Sequence, residues 1–138
     1  MKATLTAAPL NTWTDTPGNN EALPMVYVTW FEAFAFCAWD GGRLATEAEW
    51  NYAAAGGDEQ RLYPWGAAEA DATRAVYGCI RSSCPASIIL PVGSKPAGNG
   101  KWGHSDLAGS VAEWNFDWYP TTLYKNPCVD CAETKVGG

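Results

Sequence analysis

Residues 41–57 read GGRLATEAEWNYAAAGG, and the fold is organised around them. Thr46 and Glu49 stand in a T-x-x-E capping box, in which the threonine hydroxyl takes the amide three residues on and the glutamate reaches back. A helix is expected to begin there. Ala48, Ala53, Ala54 and Ala55 favour its continuation, and Gly56-Gly57 supplies a left-handed stop. With Trp50 and Tyr52 added to the alanines it is apolar over most of its circumference, so it is expected to be buried. Taken by itself, such a box marks a well-capped core helix with no chemistry of its own.

Working outward, 24–28 is extended, and Thr29 with Glu32 forms a second T-x-x-E box at the head of WFEAFAFCAWD, residues 30–40. Trp30, Ala33, Phe34, Cys37 and Ala38 recur at i, i+3, i+4, i+7 and i+8, a wide apolar stripe on a second helix that Gly41-Gly42 ends. Two capped helices are therefore expected back to back, joined by the Gly-Gly turn and Arg43-Leu44. Residues 1–23 are polar and turn-rich, with Thr16-Pro17-Gly18-Asn19-Asn20 a loop signal. Beyond Gly57, Tyr63-Pro64-Trp65-Gly66 reads as an aromatic turn. SIILPV at 87–92 reads as a short strand that Pro91 confines to an edge. The second half of SDLAGSVAEWNFDWY, 105–119, reads as a strand of an antiparallel sheet.

The chain of 138 residues suits one domain, 1–138. Its 14 Gly, 9 Pro and eight Trp favour short elements and long ordered loops over a helical bundle. The net charge of −6 with scattered basic residues argues against a nucleic-acid partner, because phosphate binding rests on clustered Lys and Arg. No stretch approaches the roughly 20 apolar residues of a membrane span, and no apolar run of signal-peptide length precedes Asn11.

Five cysteines need accounting. Cys79 and Cys84 (C-x4-C) and Cys128 and Cys131 (C-x2-C) fall in the least regular segments, where disulfides would help most. Local and crossed pairings both fit, and four thiolates holding a structural zinc is an alternative. Paired cysteines favour a periplasmic or extracellular location. A redox role for Cys128 and Cys131 lacks the usual βαβ context. Cys37 lies on the apolar stripe, where a buried free thiol is expected. His104, the lone histidine, reads as a loop residue.

The run PMVYVTWFEAFAFCAWDGGRLATEAEWNYAAAGG, then YPWG, then LPVGSKPAGNGKWGHSDLAGSVAEWNFDWY, resembles the formylglycine-generating enzyme or sulfatase-modifying-factor family across residues 24–119. The GGRL-TEAEW, PWG and D-x-AG-x-V-x-EW blocks come in that family's order. The resemblance implies an α+β fold of the modified C-type-lectin-like kind: two short helices, short antiparallel strands and much irregular loop. It also implies a structural calcium on Asp106, Gly109, Val111 and Glu113, through two carboxylates and main-chain carbonyls, a donor set that calcium accepts. Without the resemblance, Asp106 reads as a turn residue and Glu113 as a solvated strand residue. The asparagine of the family's other calcium site falls at Val76, so that site is not carried over. In some members a cysteine at the position of Cys37 pairs with one near the far end of the domain.

The activity implied is oxidation of a cysteine in a target sulfatase to formylglycine, using copper and oxygen. The copper-binding cysteines follow an R-G-G-S segment, and the sequence reaches Gly138 roughly where that segment would begin. No catalytic residue is therefore assigned, and this stretch alone is expected to be inactive, a central fragment or degenerate copy of a longer domain whose full-length parent would carry the copper. The alternative is a non-catalytic, lectin-like or pseudoenzyme module that binds a protein or peptide. The related iron-dependent sulfoxide synthases need a histidine-rich site that one histidine does not build.

Overall fold

Both capping boxes form. In the computed structural model, which describes residues 12–77, 89–118, 131–132 and 134, α1 spans Trp30–Trp39 and α2 spans Glu47–Ala54. At the head of α1, Glu32 N–H donates to Thr29 Oγ1 at 3.3 Å and Thr29 N–H to Glu32 Oε2 at 2.7 Å. At the head of α2 the same exchange joins Thr46 and Glu49 at 3.2 and 2.9 Å. Each box satisfies two amides that the helix itself leaves without partners. Gly41 ends α1 at φ +83°, and Gly42 N–H closes back on Cys37 O at 2.8 Å. Gly56 and Gly57, both left-handed, turn the chain out of α2 into a short 3-10 turn, Gly57–Glu59.

What holds the helices together is the segment 113–117, which runs across both. Trp30 Nε1–H donates to Asn115 O at 2.7 Å, and Trp114 Nε1–H returns a bond to Val28 O at 3.0 Å. Phe116 N–H bonds Ala45 O at 2.7 Å, and Glu47 N–H, at the first position of α2, donates to Asp117 Oδ1 at 2.8 Å. Trp30 stacks on Phe34 at 5.1 Å, and Phe116 packs against both rings at 6.4–6.5 Å. Aromatic contacts and indole donors at α1, a backbone bond at the link 43–46 and a carboxylate at α2 thus join these elements to a segment some 70 to 85 residues away.

The expected α+β fold with short antiparallel strands is not what forms: among the described residues there are two α-helices and no strand. Among the described residues one β-bridge forms, Tyr63–Gly66 inside the aromatic turn, where the Tyr63 and Trp65 rings stack at 4.9 Å. Of 87–92, residues 89–92 are described and make one rung, Val92 N–H to Ala22 O at 2.8 Å. Just ahead of the second half of 105–119, Asp106, Gly109 and Ser110 all take positive φ, so no strand leads into it. Beyond them the polar backbone groups of 113–117 go singly to a link residue and an indole, so no ladder propagates. The strand reading failed because the apolar residues of this segment serve contacts with two helices, not pairing with a neighbour.

The expected burial of α2 also fails. Neither helix carries a fully buried residue, and Tyr52 is 55% exposed. The buried apolar side chains among the described residues are Leu44, in the link between the helices, and Ala75. Tyr52 instead stacks on Trp102 at 5.4 Å across Gly57, where a Cβ would meet both rings. Among the described residues no helix is long and apolar enough to cross a membrane.

Candidate metal site

The segment 105–113 folds into a left-handed loop because its residues tolerate that backbone. Gly109 sits at φ +83°, and a side chain there would run into the carbonyl of Val76, so glycine is required twice over. Asp106 and Ser110 take φ +59° and +60° beside it, and Ser110 N–H fastens the loop to Val76 O at 2.9 Å. Val76 therefore contributes a carbonyl to this loop's backbone rather than a side-chain ligand to another site.

The four residues singled out in the sequence come together. Asp106, Gly109, Val111 and Glu113 line one hollow of about 330 Å³, whose wall also includes Trp50 of α2. A neighbouring hollow of about 390 Å³ shares Asp106, Val111 and Glu113, so the two carboxylates stand at the boundary between the two spaces. Each is steadied from elsewhere in the chain: Gly93 N–H donates to Asp106 Oδ2 and Trp50 Nε1–H to Glu113 Oε2, both at 2.7 Å. Two carboxylates beside two residues offering carbonyls form a hard-oxygen donor set of the kind calcium takes. Among the described residues no group of three or more His, Cys, Asp or Glu gathers, so further oxygens for such an ion would come from main chain and water.

Cys37 is a free thiol, half-buried on α1, and Cys131 is disulfide-bonded. Cys79, Cys84 and Cys128 lie outside the described residues. His104 is exposed in a loop, its ring edge-on to Trp102 at 6.5 Å. Nearby charge serves structure: the Arg43 guanidinium, 2.6 Å from Glu49, together with the Thr46 amide, holds the Glu49 carboxyl down to about 2. Glu59 is held below the ordinary carboxylate range first by Lys101 and then by Arg61.

The contacts that Trp50, Gly93 and Asp117 make in this region escaped the sequence reading. Their bonds to Glu113, Asp106 and Glu47 span 63, 13 and 70 positions, and no local pattern announces contacts of that kind.

Residues 6–137 match the family described as the sulfatase-modifying factor enzyme 1-like domain, and the chain belongs to that family. It is 38% identical over 117 residues to the formylglycine-generating enzyme of Streptomyces coelicolor, covering 78% of this chain and 36% of that protein. It is 39% identical over 102 residues to the inactive C-alpha-formylglycine-generating enzyme 2 of Mus musculus, covering 70% of this chain and 33% of the relative. Hercynine oxygenase of Mycolicibacterium smegmatis is 40% identical over 94 residues, covering 66% of this chain and 21% of that enzyme. The chain thus spans about a third or less of the length of these relatives.

Proposed function

We propose that the whole protein is a formylglycine-generating oxidase acting on a cysteine of a sulfatase, and that residues 1–138 are its non-catalytic, calcium-binding scaffold. The observation that carries this reading is the loop 106–113, where two carboxylates line one hollow beneath the capped helix 47–54, in a chain 38% identical to a formylglycine-generating enzyme. Calcium would be held by the side chains of Asp106 and Glu113 and the carbonyls of Gly109 and Val111, and as a hard, redox-inert cation it would supply rigidity. Asp106 enters from the Gly93 side and Glu113 from the α2 side, so an ion between them would tie the loop to a helix. The copper chemistry is assigned to the whole protein, and no residue described here is given a part in it. Disulfides among Cys79, Cys84, Cys128 and Cys131 would place the protein in an oxidising compartment, periplasmic or extracellular.

The 39% identity to an inactive relative favours a second reading, a non-catalytic module that binds a protein or peptide. One assay separates the two. The full-length gene product, supplied with copper and oxygen, is incubated with a sulfatase-type cysteine peptide, and conversion is followed by mass spectrometry. Conversion by the full-length protein and none by residues 1–138 is expected; peptide binding without conversion by the full-length protein would leave the binding module as the better reading.

A further inference from the structure

Each carboxylate of the candidate metal site spends one oxygen on a bond to a distant donor. Asp106 Oδ2 takes a backbone amide, that of Gly93, whereas Glu113 Oε2 takes a side-chain donor, the indole of Trp50, each at 2.7 Å. Among the described residues nothing hydrogen-bonds Asp106 Oδ1 or Glu113 Oε1, so in both groups one oxygen is anchored and the other remains for an ion. The anchoring matters more for Glu113, because its longer side chain has an additional rotatable bond to restrain. The anchor itself is rigid: Trp50 sits in the first half of α2, whose start is fixed by the Thr46–Glu49 box and by Asp117 at Glu47 N–H. Trp50 also lines the same hollow as the proposed ligands, so its indole reaches the ligand from the site itself.

We infer that Trp50 is a positioning residue of this cation site, its indole N–H fixing the plane of the Glu113 carboxylate so that the remaining oxygen faces the ion. The inference rests on the calcium reading of the site and deepens it. It also means that α2 and the ion are coupled through one hydrogen bond, a partner of the kind whose loss weakens metal binding about 10–100-fold.

The test uses the 138-residue chain, freed of metal by chelator and titrated with calcium by calorimetry and by 15N spectroscopy of the tryptophan indoles. Trp50→Phe keeps an aromatic ring and removes the donor. The expected result is calcium binding by the unaltered chain, movement of the Trp50 indole N–H signal during the titration, and about tenfold weaker binding by Trp50→Phe. A merely structural Trp50 would lower the melting temperature in chelator and leave calcium affinity unchanged. Should Trp50→Phe not fold, the indole signal of the unaltered chain decides. Calcium binding with that signal unmoved, or with equal affinity in Trp50→Phe, overturns the inference and leaves the calcium site standing. No calcium binding by the unaltered chain overturns the calcium reading and the inference with it.

Discussion

At the scale of single residues, Glu49 does more than its place in the capping box implies. Its carboxylate takes both terminal nitrogens of Arg43, at 2.7 and 2.6 Å, as well as the Thr46 amide. Its folded value near 2 lies below the ordinary 4.5, so its contribution to stability is fully present above about pH 4.5 and is lost as pH falls towards 2. Glu49→Gln is therefore expected to lower stability near neutrality by about 1 kcal/mol and to flatten the acid limb between those values. Urea midpoints measured from pH 7 to pH 2 check this, and the screening of a side chain 41% exposed keeps the effect small. Gly109 is the opposite case, a residue that matters for what it lacks. Gly109→Ala combines a left-handed backbone, costing about 1–2 kcal/mol, with a collision at the Val76 carbonyl. Its denaturation midpoint is expected to fall further than that of Gly103→Ala, where φ is also positive but nothing stands within 4 Å of the added carbon.

At the scale of elements, the two helices are alike in their caps and differ in what else holds them. α1 is tied down by Trp30, through its indole bond and its stack on Phe34. α2 receives a second cap from outside, because Asp117 Oδ1 accepts the Glu47 amide that Thr46 does not reach. A carboxylate at a helix start also meets the positive end of the helix dipole. Asp117→Ala is expected to cost about 0.5–2 kcal/mol, and Asp117→Asn, which keeps an acceptor, distinctly less. Chemical denaturation of the two variants side by side reads the difference, and equal losses would mean that charge alone matters at this position.

At the scale of the whole molecule, the described residues bury little and display much. Phe31, Phe36 and Trp39 on α1 are 77, 62 and 79% exposed, apolar surface of a kind that drives association. Residues 1–138 are expected to self-associate with rising concentration, and Trp39→Lys to reduce it, as sedimentation velocity would show. A monomer at all concentrations would refute this. The calcium proposed for the loop 106–113 would act at the same scale, since an ion bound only by the folded chain stabilises all of it. At a hundredfold excess over the dissociation constant this amounts to about 2.7 kcal/mol, so chelator is expected to lower the melting temperature by about 5–10 °C. The pair Asp106→Ala and Glu113→Ala should remove that sensitivity.

Much of this was legible in the linear order of residues. The T-x-x-E boxes and the Gly-Gly stops marked both helices, because caps and left-handed turns are made by residues within a few positions of one another. The family likeness carried by GGRL-TEAEW, PWG and D-x-AG-x-V-x-EW gathered Asp106, Gly109, Val111 and Glu113, and the loop does bring them to one hollow. The apolar residues in the second half of 105–119 suggested a strand, but the side chains, a carbonyl and an amide of 113–117 are used by Trp30, Ala45, Glu47 and Trp50. Such contacts depend on where two helices and a loop meet in space. By itself the sequence determined the helices, their caps and the family. Only the tertiary structure decided that 113–117 is a clasp rather than a strand, and that Trp50 reaches Glu113, since hydrogen bonds spanning 63 to 85 positions leave no periodic trace along the chain.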